Sequence, residues 1–229
     1  MKPTDIDINT LLSIAKENNY KIYTAKDSLS KYKRNYNLNI WGIRSTNSKS
    51  DKYDDYEIVF REAVRPMYHT INTEYHTRKY DNGWVIDIFL ITTNPGTPML
   101  LKPMNPKGAA ILKYGQYINM WRKGFHKGDK EHPALIQVNP CEVYRDNNKN
   151  DILDYNVQTE RGLFGINNHR QSKWKLINWI GLNSAGCQVH LNYKIYTDVF
   201  LYLIDEAIKE GTDLFTYTLI SEETYAKKR

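Results

Sequence analysis

The stretch GINNHRQSKWKLINWIGLNSAGC, residues 165–187, decides how the chain is read. Residues 162–169 and 175–181 are read as a pair of strands, with a polar turn between them. The tight sequence Asn183-Ser184-Ala185-Gly186-Cys187 follows, with side chains small enough to let a backbone turn sharply. Outward from this unit, residues 36–43, 56–61, 84–92 and 215–220 are rich in β-branched and aromatic residues and bounded by Asn, Asp or Gly, so they are expected as strands. Residues 134–145 add two short strands broken at Asn139-Pro140, and residues 93–98 (TNPGTP) form a turn by composition. Apolar positions at helical spacing predict one helix over 8–18, capped by Asp7 or Asn9, and a second over 197–209 that stops at Gly211. The expected class is α+β, β-rich, with peripheral helices.

The chain has 229 residues, of which 32 are Lys or Arg and 26 Asp or Glu, for a formal charge of +6. That length suits one elaborated domain or one domain with an appendage, and 41% hydrophobic residues are enough to bury a core, which excludes wholesale disorder. Tyrosine is in excess, at 18 against 6 Phe and 5 Trp, so much of the aromatic mass has a polar tip suited to half-exposed strands or a polar cleft. Two cysteines, Cys141 and Cys187, exclude a disulfide scaffold while leaving a single bridge open. No apolar run reaches the roughly 20 residues that span a bilayer, and Asp5, Asp7, Asn9 and Lys16 interrupt the place of a secretory leader. Synthesis in the cytoplasm without a signal peptide, and no membrane insertion, are the expectations. The modest positive charge fits any polyanion and selects none.

Chemistry concentrates at His169 and Cys187, 18 residues apart. A thiol attacks as thiolate, and an imidazole within hydrogen-bond reach takes its proton. Two antiparallel strands joined by a turn would bring this pair side by side, with sulfur and ring nitrogen roughly 3 to 4 Å apart at the floor of an open groove. Ser184-Ala185-Gly186 would let N–H groups point at a carbonyl oxygen developing negative charge. Cys141, held in Asn139-Pro140-Cys141-Glu142-Val143 with no His close in sequence, reads as structural.

A His ending a Gly-Ile strand, then 14 residues, then Ser-x-Gly-Cys, resembles the catalytic motif of the YkuD-type L,D-transpeptidase family, whose members act on peptidoglycan stem peptides. The resemblance implies a mixed sheet or β-sandwich with the catalytic domain at 84–229, and an N-terminal part, 1–83, that either belongs to the same domain or targets it. It implies Cys187 as nucleophile, His169 as base, Gly186 and Cys187 as backbone oxyanion donors, and Ser184 as the brace of the turn, with no metal and no cofactor. Ala185 stands where many members have a second His, Arg170 where Gly is common, and Gln188-Val189 where an apolar residue and Arg or Asn are usual. The wording looks more like a divergent branch similar to proteins of bacteriophages and their hosts. A phage-type lysin that hydrolyses stem-peptide or cross-link amides in a host's wall is therefore the leading expectation, with an L,D-transpeptidase forming cross-links as the alternative. Arg170, Gln188, Tyr117 and Trp121 are candidate substrate contacts.

Other features read more plainly. His69 and His76 lack a third ligand for a metal. His126 and His132, in FHKGDKEHP, read as solvated loop histidines that reach a cleft only if residues 115–121 line it. Asp146, Asn148 and Asn150 occupy the first ligand positions of a calcium loop, but Asp151 replaces its Gly and Val157 its Glu, so an Asx turn is favoured. The cations and tyrosines of residues 31–36 give the second class of reading, a basic module for single-stranded nucleic acid. Asp51, Asp54 and Asp55 offset them, so nucleic acid is not the expected partner.

Overall fold

The N-terminal amphipathic stretch forms helix α1 (Ile8–Asn18), with the Asp7 side chain accepting from the Thr10 N–H at its start and Asn19 left-handed at its end. In the computed structural model, residues 1–27, 36–46, 50–63 and 70–229 are described. The strands that follow α1 are β1 (Asn39–Arg44), β2 (Asp55–Glu62), β3 (Ile71–Asn72), β4 (His76–Asp81) and β5 (Trp84–Thr92). A short helix α2 (Thr97–Leu101) leads to β6 (Ala109–Leu112), β7 (Gly115–Phe125), β8 (Pro133–Gln137), β9 (Cys141–Asp146) and β10 (Thr159–Gly162). Then come β11 (Asn168–Arg170), β12 (Gln188–His190), helix α3 (Tyr193–Ile195), helix α4 (Leu201–Lys209), β13 (Leu214–Ser221) and helix α5 (Glu222–Ala226).

The main sheet runs β12-β11-β8-β7-β13-β1-β2-β5-β4-β3, and β12 also pairs with the far end of β5. That last pairing, Val189 with Thr92 and His190 with Ile91, closes the sheet into a barrel and leaves β4 and β3 as an extension. The result is β-rich with few helices, and its main sheet is mixed as expected, β1 with β13 and β11 with β12 being parallel and the other pairs antiparallel, but it closes into a barrel and is not a sandwich. Strands β6, β9 and β10 form a separate sheet. The division at residues 83 and 84 falls in the tight β4–β5 hairpin, whose turn residues Asn82 and Gly83 both have positive φ. Strands β1 and β2 lie between β13 and β5, so segments 1–83 and 84–229 share one sheet.

Two apolar layers hold the barrel. Outside it, Ile8, Leu11 and Ile14 of α1 pack with Trp41, Ile58, Phe60 and Tyr225. On the other face of the same strands, Ile40, Val59, Phe89, Trp121 and Tyr217 pack with Phe200, Leu203 and Ile204. The second helical region is therefore part of the main core, not peripheral. It also starts earlier than its spacing predicts, at α3 with the Asn192 side chain as cap, and passes through a π-helical turn at Tyr196–Phe200 before α4.

The expected hairpin of 162–169 and 175–181 does not form. β10 and β11 are separate strands, 175–181 holds no strand, and β11 pairs with β12 in parallel, His169 opposite Val189. A parallel pair needs a crossover of a dozen or more residues, which residues 171–187 supply. The apolar residues of 175–181 form no buried face, since Leu176 and Trp179 are exposed and Ile180 alone is fully buried there.

Candidate active site

Side chains alternate along a strand, so His169 on β11 and Cys187, immediately before β12, point to one side of the parallel pair, while Asn168, Gln188 and His190 point to the other. Cys187 is displaced by two residues from Val189, the direct partner of His169, so the two are diagonal neighbours across the pair. Both residues are buried. His169 Nδ1 lies 2.8 Å from the Arg170 carbonyl. A carbonyl only accepts, so Nδ1 carries the proton and Nε2 holds the free lone pair. That Nε2 is buried and without a hydrogen-bond partner. The expected thiol–imidazole hydrogen bond is not formed; Cys187 Sγ donates instead to the Gly165 carbonyl at 3.3 Å.

The small-residue turn is braced from two sides. Ser184 Oγ donates to the Cys187 carbonyl at 2.9 Å and accepts from the Gly186 N–H at 3.1 Å. Gly96, in the 93–98 turn, donates its N–H to the Ser184 carbonyl. Gly186 has φ +125°, and a Cβ there would lie 2.1 Å from the Ala110 carbonyl oxygen, so only glycine fits. With the Gly186 N–H given to Ser184, the Cys187 N–H is the candidate oxyanion donor of this turn.

Around His169 stand two more imidazoles. The His126 ring stacks on it with centroids 3.9 Å apart, and the His132 ring meets it edge-on at 5.3 Å. His132 Nε2 shares the Arg170 carbonyl with His169 Nδ1, at 3.2 Å. His126 Nδ1 lies 3.4 Å from the Asn167 side-chain amide. The solvated-loop reading of His126 and His132 is thus corrected: β7, β8 and the loop between them press both rings onto the candidate base. Among the described residues no group of three or more His, Cys, Asp or Glu is arranged to hold a metal ion.

Electrostatics follow from burial. Desolvation and the neighbouring His126 push His169 well below the usual imidazole range. Burial takes His126 down to about 4 and lowers His132 as well. Burial pushes the Cys187 thiol up to about 11, opposed by the Asn167 N–H and Lys127. The resting pair is therefore thiol and neutral imidazole, not an ion pair. Cys141 is pushed up further, to about 12, is fully buried, and accepts from Gln137 Nε2. Both cysteines are free.

Two residues that position this face gave no sequence signal. Gln137 Nε2 donates to the carbonyls of Asn139 and Gly162, and its Oε1 accepts the N–H groups of Phe164 and Ile166. It thereby shapes the approach to β11. Inside the barrel, the fully buried Glu57 accepts from Asn168 Nδ2 and pairs with His190 Nε2, both at 2.5 Å. One carboxylate thus ties the strand of His169 to the strand that follows Cys187.

Two depressions flank the turn. One, of about 310 Å³, is bordered by Met99, Met104, Arg145, Leu163, Phe164 and Ala185. The other, of about 350 Å³, is bordered by Asp129, Glu131, His132, Arg170, Lys173 and Asn183. The candidate substrate contacts fare unequally. Arg170 borders the second depression, although its guanidinium is mostly committed to the carbonyls of Gln171 and Glu131. Trp121 is fully buried with its Nε1–H on the Ile166 carbonyl, and Tyr117 is buried with its hydroxyl on the Lys113 and Glu142 carbonyls. Gln188 lies inside the barrel against the Tyr217 hydroxyl and the Gly186 carbonyl. These three are core and network residues that offer a substrate no surface.

The remaining sequence candidates find structural partners. His76 bonds Asp87, which also holds Arg78, and Asp146, Asn148 and Asn150 build a chain of local Asx contacts. His69 and residues 31–35 lie outside the described residues. Comparison with protein families, curated proteins and solved structures finds no match for the chain.

Proposed function

We propose that the chain is a cysteine enzyme of YkuD-like type acting on peptidoglycan, a lysin that hydrolyses stem-peptide or cross-link amide bonds. The observation that carries the reading is a buried, unpartnered His169 Nε2 on β11 and Cys187 immediately before β12 on the same side of the parallel pair, next to Gly186, where no side chain fits. His169 Nε2 takes the thiol proton as Cys187 Sγ attacks the amide carbonyl, so deprotonation accompanies attack. The Cys187 N–H faces the resulting oxyanion. The C–N bond breaks as His169 returns its proton to the leaving amine, and a thioester remains on Sγ. Water activated by His169 then adds to the thioester and releases the acid and the thiol. An acceptor amine in place of water would give transpeptidation instead. The YkuD resemblance supports peptidoglycan as the substrate.

The test is to incubate the protein, Cys187→Ala and His169→Ala with peptidoglycan sacculi and to resolve the released muropeptides. New peptide termini from the unsubstituted protein, absent with both variants, are expected. Identical product profiles for the protein and Cys187→Ala would remove the nucleophile, and new cross-links without new termini would replace hydrolysis by transpeptidation.

A further inference from the structure

The crossover between β11 and β12 exposes what a folded chain normally hides. Trp174 is 84% exposed, Leu182 71%, Trp179 59% and Leu176 46%. The segment is held rather than loose: Ile180 is fully buried, its N–H and that of Gly181 are taken by Asp51, and Asn183 bonds back to the Ile180 carbonyl. Trp179 and Leu182 therefore project from either side of a fixed anchor. Residues 172–182 contain Lys173 and Lys175 and no carboxylate. Lys194 borders the same depression as Lys173, Trp174, Lys175 and Leu176. Lys173 pairs with Glu131 and lies 4.8 Å over the Trp174 ring, which leaves Lys175 and Lys194 without an ion pair among the described residues.

We infer that this crossover is a docking surface for an anionic phospholipid bilayer. Indole rings favour the headgroup level, leucines enter the acyl boundary, and lysines meet lipid phosphates within a Debye length. In sequence the crossover joins β11 to the nucleophile turn, and its Lys173 and Trp174 border the same depression as His132 and Arg170, so docking would hold that depression toward the membrane. The inference does not depend on the reaction proposed above.

The five tryptophans make the test direct, because Trp41, Trp84 and Trp121 are buried and only Trp174 and Trp179 can change solvent. The protein is mixed with vesicles containing phosphatidylglycerol or with vesicles of phosphatidylcholine alone, and sedimentation and tryptophan emission are read. Roughly tenfold or greater preference for the anionic vesicles, with a blue shift, is expected from two free lysines. Trp174→Ala/Trp179→Ala should lose sedimentation, and Leu176→Ser/Leu182→Ser, which keeps both indoles, should lose the blue shift. Far-UV circular dichroism checks that both variants stay folded. No vesicle binding, binding unchanged in both variants, or a patch whose substitution abolishes self-association or retention on lipid-free sacculi instead, would each overturn the inference.

Discussion

Cys187 illustrates how far a buried thiol departs from a free one. Apolar surroundings raise it to about 11, with the Asn167 N–H and Lys127 only partly offsetting the loss of water. His169 cannot hold the released proton as a stable imidazolium, because burial and His126 lower its affinity for protons. Reactivity toward a small alkylating agent should therefore be low at neutral pH and climb toward a midpoint near 11, which is the raised value of the thiol itself. Mass spectrometry of iodoacetamide-treated protein across pH measures this, and the fully buried Cys141 is distinguished by its own peptide. A midpoint near pH 6 would mean a preformed thiolate–imidazolium pair and would contradict the neutral resting state. Should the chain hydrolyse amides as proposed, the acidic limb of its rate profile falls below 6.5, the ordinary imidazole value, because His169 stays neutral there.

Strands β11 and β12 are three residues each, and so short a parallel pair has few ladder bonds of its own. Glu57 on β2 compensates from inside the barrel by binding Asn168 and His190 at once. Glu57→Ala strips two fully buried polar groups of their partner, each worth about 1–3 kcal/mol when unsatisfied. A loss of roughly 2–5 kcal/mol in urea unfolding is expected, with Glu57→Gln clearly less affected because an amide can still meet both groups. Equal destabilisation by both substitutions would show that the carboxylate's volume matters and its hydrogen bonds do not. Such a clamp is invisible in the sequence, where DYEIVFRE reads as an ordinary strand and nothing marks Glu57 as internal. β2, β5 and β13 were legible because apolar and β-branched residues fill them. β7 was not, since Asn119 adopts φ +54° and a bulge opposite Phe215 and Tyr217 breaks the alternation. The turn around Cys187 is legible from its small residues, whereas the crossover before it is not, because the apolar residues of 175–181 suggest a strand although Leu176 and Trp179 stay exposed. The three-imidazole cluster arises only when the loop from β7 to β8 folds over β11, a tertiary event without local spacing.

At the scale of the molecule, titratable groups buried by closing the barrel pull stability in opposite directions. The histidines His126, His132 and His169 have folded values below the unfolded 6.5, so the unfolded chain binds more protons in that window. Their contribution is complete above 6.5 and is lost as pH falls through the folded values, which for His126 is about 4. Asp54 has the opposite sign. Burial and the neighbouring Asp55 raise it from 3.8 to about 7, so its contribution is complete below 3.8 and is lost as pH rises through 7. Urea midpoints measured from pH 4 to 8 should separate the two arms. His126→Gln should lose less stability than the unsubstituted chain between pH 6.5 and 4, and Asp54→Asn should gain relative stability as pH rises through 7. Parallel curves for His126→Gln and the unsubstituted chain would mean that His126 titrates as a solvated imidazole. The stacked cluster around His169 would then not exist in solution, and the neutral base on which the proposed chemistry depends would lose its principal support.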